Sequence, residues 1–404
     1  MMWWIVGVVA FVVILLLSIV LHEAGHFATA KLFNMKATEF FVGFGKRLWS
    51  FRRGETEYGV KAIPAGGYVR IIGMSEVEEI APEDRPRAFY RQKAWQRLIV
   101  LASGSAMHFV IAFVILLGLG LFADQHRETL TVGTVSPCVS QVGSNECAPG
   151  APKSPAAIAG LQAGDRVLSI DGVEVTSWRD LVSRVRAAQD ATVTLVVDRG
   201  GSLVTLTPDL VTREIPGEGG APGVRLGYLG ASTQLETYTL GPAGALDYSV
   251  STIGEAVRLT GVALARIPAG IGNIIDATFL GGQRDPEGLV GVVGIARLSG
   301  DTLAADEAPA GSRIVTFLTM MALLNVFIGI FNLLPLPPLD GGHIFLLLLE
   351  RARAAVYRLF RRPDPGHIDP SKAVPIAYVF VVLLITLTAL LAAADLINPV
   401  KLPT

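Results

Sequence analysis

The chain has 404 residues, of which 51% are hydrophobic and 17% are charged, and its formal net charge is −1 at pH 7. This balance is typical of an integral membrane protein that also carries sizeable polar parts. A net charge so close to zero gives no electrostatic basis for a nucleic-acid partner, so none is expected.

Four apolar stretches are long enough to cross a bilayer. Each holds roughly twenty residues or more without Asp, Glu, Lys or Arg, which matches a hydrocarbon core about 30 Å thick. They cover residues 3–21, 98–123, 314–339 and 373–394. The first lacks the basic segment that begins a signal peptide, so we expect it to be retained as a helix. The sequence therefore predicts a polytopic α-helical membrane protein with four transmembrane helices.

Lysine and arginine residues are concentrated in two segments, 31–97 and 351–372. The excess of positive charge places both segments in the cytoplasm, so the N-terminus, the region of about 124–313 and the C-terminal tail face outward. The only two cysteines, Cys138 and Cys147, fall in this outer region. A disulfide persists there, and we favour one over the alternative of two free thiols.

The first apolar stretch leads into residues 16–29, which read L-L-S-I-V-L-H-E-A-G-H-F-A-T. His22 and His26 are four residues apart, so on a helix their imidazoles leave the same face and are able to hold one metal ion. Glu23 lies beside them, where its carboxylate would accept a proton from a water molecule at the metal. The run therefore indicates a metal-dependent hydrolase.

A chance match to this pattern is common in soluble helices, but a membrane helix selects against it. A charged group at the bilayer centre costs at least roughly 2–3 kcal/mol, so ionisable residues at that depth are functional by default. The same desolvation argument disfavours a purely structural reading of the two histidines.

Residues 36–75 alternate aromatic and β-branched residues with polar ones, and glycines interrupt them, which predicts short strands and hairpins. An ordinary small cytoplasmic sheet is one interpretation. We favour a hairpin that dips into the membrane interface beside the metal site, because the segment is rich in large apolar side chains. In that position Gly66 and Gly67, followed by Tyr68 and Val69, would offer an edge strand to an extended substrate.

The second apolar stretch contains one ionisable residue, His108, in the sequence Gly104-Ser105-Ala106-Met107-His108. Two interpretations remain open for it. His108 is either a polar residue packed inside the helix bundle or a residue that faces the catalytic cavity.

Residues 129–212 predict a compact α+β module outside the membrane. Residues 154–172 place a short helix before a glycine turn, a strand and an Asp-Gly hairpin turn. Residues 177–188 follow as an amphipathic helix, and residues 193–197 and 203–206 complete the strands.

This module carries the pattern A-G-L-x-x-G-D-x-V-L-x-I-x-G nearly intact and closely resembles a bacterial PDZ domain. Domains of that kind bind a peptide end as an added strand, so the resemblance implies a peptide ligand. A PDZ fold that serves only as a steric plug is the alternative. The candidate peptide-binding residues are Gly160, Leu161, Gly164, Asp165, Leu181 and Val185.

The region after this module is predicted to return to the membrane. Residues 214–240 are rich in glycine and proline and predict a linker. Residues 242–267 are amphipathic, so we expect a helix that lies on or packs against the outer membrane surface. Residues 288–300 are apolar but too short and too interrupted by glycine to span a bilayer.

The third apolar stretch runs into residues 331–343, F-N-L-L-P-L-P-P-L-D-G-G-H. Three prolines end regular helix there, so Asp340 is expected on irregular backbone at membrane depth, which is tolerated where protein or a cavity satisfies it. The predicted topology puts Asp340 on the same cytoplasmic side as His22 and His26. Two imidazoles and one carboxylate with a position left open form the ligand set of a catalytic zinc ion.

These motifs together resemble the site-2 protease family over nearly the whole chain. The H-E-A-G-H run, the N-L-L-P-L-P-P-L-D-G-G-H run and the PDZ module between them look like the bacterial regulator-of-sigma-E protease type, and the single PDZ domain with paired cysteines looks actinobacterial. The resemblance implies one Zn²⁺ per chain with His22, His26 and Asp340 as ligands, and Glu23 as the catalytic acid and base.

The same resemblance assigns further residues. It implies that Asn332, Pro335 and Pro337 shape the substrate cleft. The family usually shows G-P-x-x-N in the second helix, where this chain has G-S-A-M-H. This departure leaves the substrate-positioning or oxyanion role of His108 in question and does not affect the metal site.

The function that follows is intramembrane proteolysis by a metalloendopeptidase of the bacterial inner membrane. By resemblance the substrates are single-span membrane proteins, namely anti-sigma factors or signal-peptide remnants, cut after another protease has trimmed the ectodomain. An inactive PDZ scaffold with a structural zinc ion is the alternative, and Glu23 argues against it because a structural site needs no base. A zinc transporter or sensor is disfavoured because a tight tetrahedral site releases its ion slowly.

The predicted organisation has eight segments. They are 1–32, the first transmembrane helix; 33–95, the cytoplasmic-side β-hairpin and connector; 96–123, the second transmembrane helix; 124–213, the extracytoplasmic PDZ domain; 214–313, the linker and surface helix; 314–349, the third transmembrane helix with the Asp-Gly motif; 350–372, the basic cytoplasmic loop; and 373–404, the fourth transmembrane helix and outer tail.

Overall fold

The structure is a computed structural model that describes residues 1–74, 78–139, 147–215, 224–280, 282, 288–305, 308–363, 366, 368 and 373–399. Parts of the predicted connector, linker, basic loop and outer tail therefore lie outside the described residues. The chain divides into two compact units. One comprises Met1–Leu121 with Gly241–Val400, and the other comprises Phe122–Leu240.

The first unit consists of helices and one β-hairpin. Its helices are α1 (Met2–Leu32), α2 (Ala94–Phe122), α5 (Pro242–Ile275), α6 (Val292–Ala304), α7 (Ala310–Asn332), α8 (Asp340–Leu359) and α9 (Val374–Ile397). Its strands are β1 (Ala37–Arg53) and β2 (Thr56–Ile71).

Within the described part of the chain, four helices are long and apolar enough to cross a membrane, namely α1, α2, α7 and α9. They coincide with the four apolar stretches of the sequence, so the prediction of a membrane protein is confirmed. The amphipathic α5 extends past its predicted end at residue 267. It buries Ala256 in a cluster with Ala112 and Leu116 of α2 and with Ala322 and Val326 of α7.

The third apolar stretch ends earlier than predicted. α7 stops at Asn332 and a separate helix, α8, begins at Asp340, so the predicted segment 314–349 contains two helices. The prediction that 350–372 is a loop is wrong as far as Leu359, because α8 continues to that residue. The prolines at 335, 337 and 338 break the backbone, whereas residues 343–362 contain neither glycine nor proline and favour helix.

Two glycines allow α1 and α2 to approach each other closely. A Cβ atom on Gly25 would fall against the backbone of Ser103, and one on Gly104 would fall against the imidazoles of His22 and His26. Close helix approach inside a membrane depends on such small residues, because larger ones would hold the backbones apart. α2 therefore lies directly behind the histidines of α1.

A buried ion pair attaches α8 to α2. Arg97 Nη1 lies 3.0 Å from Glu350 Oε1, and the two side chains are only 9% and 4% exposed. Removing one partner of such a pair leaves an uncompensated charge in the interior. The pair therefore fixes α8, and with it Asp340, relative to α2.

In the β-hairpin, the start of β1 pairs with two separate segments of β2. Glu39 pairs with Arg70 on one side and with Glu57 on the other. Residues 37–42 thus lie inside the sheet, and residues 67–71 form one of its edges. This edge strand approaches α1 at Gly67, where an added Cβ atom would meet the side chains of Glu23 and Ile19.

The tip of the hairpin is held by charge. Arg87 donates to the two carboxylate oxygens of Glu55 at 2.6 and 2.8 Å, and Lys31 at the end of α1 donates to the same group. The hydrogen bonds from Arg87, with those from Lys31, lower the pKa of Glu55 to about 2.

We expect this pKa shift to make Glu55 stabilising above about pH 4.5 and progressively less so below it. A carboxyl group with a depressed folded-state pKa contributes stability that is present above its ordinary value of 4.5 and is lost as pH falls towards 2. Glu55→Gln should lower the melting temperature of the detergent-solubilised protein at pH 7, and the difference should shrink below pH 4.5. Glu83→Gln, at an exposed carboxylate, is the control, and a difference that persists unchanged at low pH would contradict the assignment.

The second unit is an α+β domain. Its elements are β3 (Gln125–Val135), α3 (Pro155–Ile158), β4 (Arg166–Ile170), β5 (Val173–Glu174), α4 (Trp178–Ala188), β6 (Leu195–Arg199), β7 (Ser202–Leu206), β8 (Val211–Ile215), β9 (Val224–Tyr228) and β10 (Ala231–Tyr238). The main sheet has the order β10-β3-β4-β6-β7, with β5 beside β4, and β8 pairs with β9. Cys138 and Cys147 form a disulfide in this unit.

The predicted linker 214–240 is wrong in its second half. β10 pairs antiparallel with β3, and Tyr238 lies opposite Gln125 at the end of the ladder. The glycines and prolines that suggested a linker are concentrated in residues 216–223, outside the described residues, whereas residues 224–238 are rich in strand-forming Val, Leu, Thr and Tyr. The β-containing domain therefore runs to the end of β10.

Candidate metal centre

Three side chains from α1 and α8 meet at one point. His22 Nε2 and His26 Nε2 lie 3.2 Å apart, and each lies 3.4 Å from Asp340 Oδ2. The two histidines are adjacent because they are one helical turn apart on α1. Asp340 joins them from the first turn of α8, where the helix dipole favours a carboxylate.

The spacing of these three atoms fits a zinc ion. Zinc–nitrogen and zinc–oxygen bonds of about 2.0–2.2 Å at tetrahedral angles put neighbouring ligand atoms roughly 3.3–3.5 Å apart. The observed separations of 3.2–3.4 Å thus match one face of a tetrahedron, and among the described residues no further His, Cys, Asp or Glu joins the three. Two nitrogens and one carboxylate oxygen could hold a catalytic zinc ion, whereas a structural site would close all four positions.

Groups on α2 orient two of these three side chains. The Val100 carbonyl accepts a hydrogen bond of 2.7 Å from His26 Nδ1, which leaves the Nε2 lone pair for a metal. Ser105 Oγ donates to Asp340 Oδ2 at 3.3 Å. The absence of a side chain at Gly104 leaves the space that the two imidazoles occupy.

Glu23 lies between the two candidate metal-binding histidines and the edge strand of the hairpin. Its carboxylate lies near the backbone amide of Val69. A Cβ atom on Gly67 would come within 3.1 Å of Glu23 Cγ, so the glycine leaves room for this side chain. The sequence prediction that Gly67 lies beside the site agrees with this contact, and Gly66 precedes it with φ of +148°.

The sequence left open whether His108 packs inside the helix bundle or faces the catalytic cavity, and the structure shows features of both. Its side chain is buried, with 1% exposure, and His108 Nδ1 lies 2.9 Å from Asn325 Oδ1 on α7. Its ring is also a direct neighbour of His22, with a centroid separation of 5.2 Å. His108 is therefore packed in the helix bundle, next to the face of α1 that carries His22 and His26.

The remaining residues assigned to the cleft lie on the connection into Asp340. Asn332 is the last residue of α7, and Pro335 and Pro337 lie in the turn before α8. A Cβ atom on Gly341 or Gly342 would fall against the backbone of this turn. The Asp-Gly-Gly sequence thus lets the turn fold tightly over the start of α8.

Four of the six predicted peptide-binding residues of the second unit are buried. Leu161, Leu181 and Val185 are 5%, 2% and 6% exposed and belong to the core of the domain. Asp165 is 1% exposed and accepts a 2.7 Å hydrogen bond from Arg199. These four side chains pack inside the domain, and their role as ligand contacts stays a prediction.

The other two predicted residues, Gly160 and Gly164, lie in exposed turns with φ of +77° and +93°. Both conformations are left-handed and favour glycine. Their role as ligand contacts stays a prediction.

Sequence reasoning missed most of the support on α2 and α7. Val100, Gly104, Ser105 and Asn325 were not recognised as neighbours of the histidines. One signal was available for Asn325, since a polar residue inside an apolar helix is rarely placed there without a partner.

Comparison with known proteins agrees with this site. Residues 10–360 match the sequence profile of peptidase family M50. The zinc metalloprotease Rip1 of Mycobacterium tuberculosis H37Rv is 36% identical over 414 residues, which cover 99% of this chain and 100% of the relative. The Rip1 protein of Mycolicibacterium smegmatis is 35% identical over 417 residues, with 98% of each chain covered.

The family match spans most of the chain, including both histidines and Asp340, and the relatives match at full length. Their names specify a zinc-dependent protease, which is the chemistry that two imidazoles, a carboxylate and an adjacent glutamate support. The chain therefore belongs to peptidase family M50, the site-2 protease family, and is a membrane-embedded zinc metalloendopeptidase.

Proposed function

We propose that the chain hydrolyses peptide bonds within the transmembrane segments of single-span membrane proteins, with one Zn²⁺ per chain held by His22, His26 and Asp340. The observation that carries this proposal is the triangle of ligand atoms with edges of 3.2–3.4 Å beside Glu23. A zinc ion in such a site supplies Lewis-acid chemistry and makes water acidic enough to lose a proton near neutral pH.

Glu23 is the acid and base of the proposed reaction. Its carboxylate accepts a proton from the attacking water as the oxygen adds to the scissile carbonyl carbon. It then returns that proton to the leaving amine nitrogen as the C–N bond breaks. The proximity of Gly67 to Glu23 Cγ supports this role, since it places the carboxylate on the side of the edge strand.

The edge strand is proposed to hold the substrate in an extended conformation. A helical substrate hides its carbonyls in its own hydrogen bonds, so it must unwind before it is cut. Residues 67–71 form a free edge of the sheet, and the N–H and C=O groups that face away from β1 along such an edge are available to another strand. Main-chain pairing with these groups would replace the bonds lost on unwinding. Asn332, Pro335 and Pro337 would line the other wall of this cleft.

The hairpin is proposed to sit in the membrane interface on the cytoplasmic side. Its strand β1 exposes Leu48 and Trp49 by 66% and 60%, which suits contact with lipid better than contact with water. The N-terminus and the second unit would then face outward across the bacterial inner membrane.

The second unit is proposed to be a PDZ domain that excludes substrates with bulky ectodomains. The steric role is favoured over peptide binding because four of the six candidate peptide contacts are buried in its core. Proteolysis would then be the second cut, after another protease has trimmed a substrate such as an anti-sigma factor or a signal-peptide remnant.

This order of cuts is tested by co-expression with a tagged single-span substrate in two lengths. We expect rapid cleavage of the substrate whose ectodomain has been removed and little cleavage of the full-length one. Deleting residues 125–238 should allow both to be cut. Equal cleavage of the two substrates by the intact protein would contradict the second-cut role while leaving the hydrolytic activity established.

A further inference from the structure

The three proposed metal ligands differ in how they are supported from α2. His26 donates to the Val100 carbonyl, and Asp340 accepts from Ser105. His22 Nδ1 is buried and has no hydrogen-bond partner among the residues that the structure describes. A buried ring nitrogen that carries a proton needs an acceptor, because it has lost its hydrogen bonds to water.

The imidazole ring of His108 lies next to the ring of His22. The two ring centroids are 5.2 Å apart and the rings are inclined by 44°. His108 is buried on α2, four residues after Gly104, on the same helix that supports His26 and Asp340. It is therefore placed to complete the support that α2 gives to the metal site.

Asn325 determines which nitrogen of His108 carries the proton. Asn325 Nδ2 donates to the Met321 carbonyl at 2.9 Å, so its Oδ1 atom is the one that faces His108 Nδ1. An amide oxygen only accepts hydrogen bonds, and Nδ1 must therefore be the donor. In the neutral ring, Nε2 is then left as an acceptor.

We propose that His108 is a positioning residue whose Nε2 accepts a hydrogen bond from His22 Nδ1 once a metal is bound, and so directs His22 Nε2 towards that metal; the bond is not formed in this structure. Asn325 holds His108 in the tautomer that makes this possible. The proposal rests on the proposed function of His22 as a zinc ligand. The competing acceptor for the His22 ring is the backbone carbonyl of Gly104.

The test measures zinc affinity in the full-length protein in detergent, by competition with a chelator. All variants carry Glu23→Gln, so the measurement does not depend on proteolysis. We expect His108→Leu and Asn325→Leu to weaken zinc binding about 10–100-fold, the range typical for loss of a partner of a metal ligand. The double variant should be no weaker than His108→Leu, because both changes remove the same hydrogen bond.

Two conservative variants separate this role from simple packing. His108→Gln places an amide oxygen near the position of Nε2 and should restore zinc affinity and the tetrahedral absorption spectrum of the Co²⁺-substituted protein. His108→Asn reaches only the position of Nδ1 and should resemble His108→Leu. Val110→Leu, at an exposed position of the same helix, is the control.

The outcomes are distinct. Wild-type zinc affinity in His108→Leu and His108→Asn would overturn the proposal and assign the acceptor role to the Gly104 carbonyl. Equal affinities of His108→Gln and His108→Asn would also overturn it, even if His108→Leu does not fold. Failure of both the Glu23→Gln parent and the protein with Glu23 intact to bind zinc would instead contradict the proposed function of the histidines.

Discussion

Replacing Glu23 with glutamine is expected to abolish detectable proteolysis while zinc stays bound. Loss of a positioned acid and base typically lowers a rate by about 10²–10⁴-fold. Glutamine has nearly the same shape as glutamate, so the surrounding structure should not change. Cleavage of a tagged single-span substrate and the zinc content of the purified protein are the two measurements.

Glu39→Gln, at another carboxylate of the hairpin region, is the control for general effects on folding. Cleavage at the wild-type rate in Glu23→Gln would remove Glu23 from the mechanism. It would assign the role of base to another group, because proteolysis would continue without this carboxylate. Loss of zinc together with activity would show that the carboxylate has a structural role.

Replacing Gly104 with alanine is expected to eliminate zinc binding. The added Cβ atom would fall on the imidazoles of both His22 and His26, and neither the ring positions nor the backbone of α2 can shift without separating the ligand atoms. We expect a loss larger than the roughly 10–100-fold that follows from removing a single supporting hydrogen bond. Metal content and cleavage should therefore fall together.

Gly118→Ala provides a matched control on the same helix. A Cβ atom at Gly118 meets no other atom within 4 Å. Both substitutions raise intrinsic helix propensity by about 1 kcal/mol, so they differ only in what the new methyl group touches. Normal zinc content in Gly104→Ala would show that α1 and α2 are not in close contact at this point.

The parts of the site that the sequence predicted are those with a local signature. His22 and His26 are one helical turn apart, and Asp340 is marked by prolines before it and glycines after it. The hairpin was recognisable from its alternation of apolar and polar residues. Each of these patterns involves neighbours in the chain, so geometry within one element is enough to interpret it.

The missed contacts all join distant segments. Gly104 looked like an ordinary small residue of a membrane helix, and only its distance from the imidazoles explains why it lacks a side chain. Asn325 carried no motif, although it determines the tautomer of His108. β10 was mistaken for a linker because its partner, β3, lies about a hundred residues earlier in the chain.

By itself, the sequence determined that this is a membrane protein with a metal-binding pair of histidines, an adjacent glutamate and a later aspartate preceded by broken helix. Helical periodicity and the energetics of charge in lipid are sufficient for those conclusions. Only the tertiary structure decided that Asp340 Oδ2 reaches both imidazoles and that α2 lies behind them with Gly104, Ser105 and His108. The physical reason is that the distance between two packed helices depends on the side chains of both, so the sequence of one segment does not specify it.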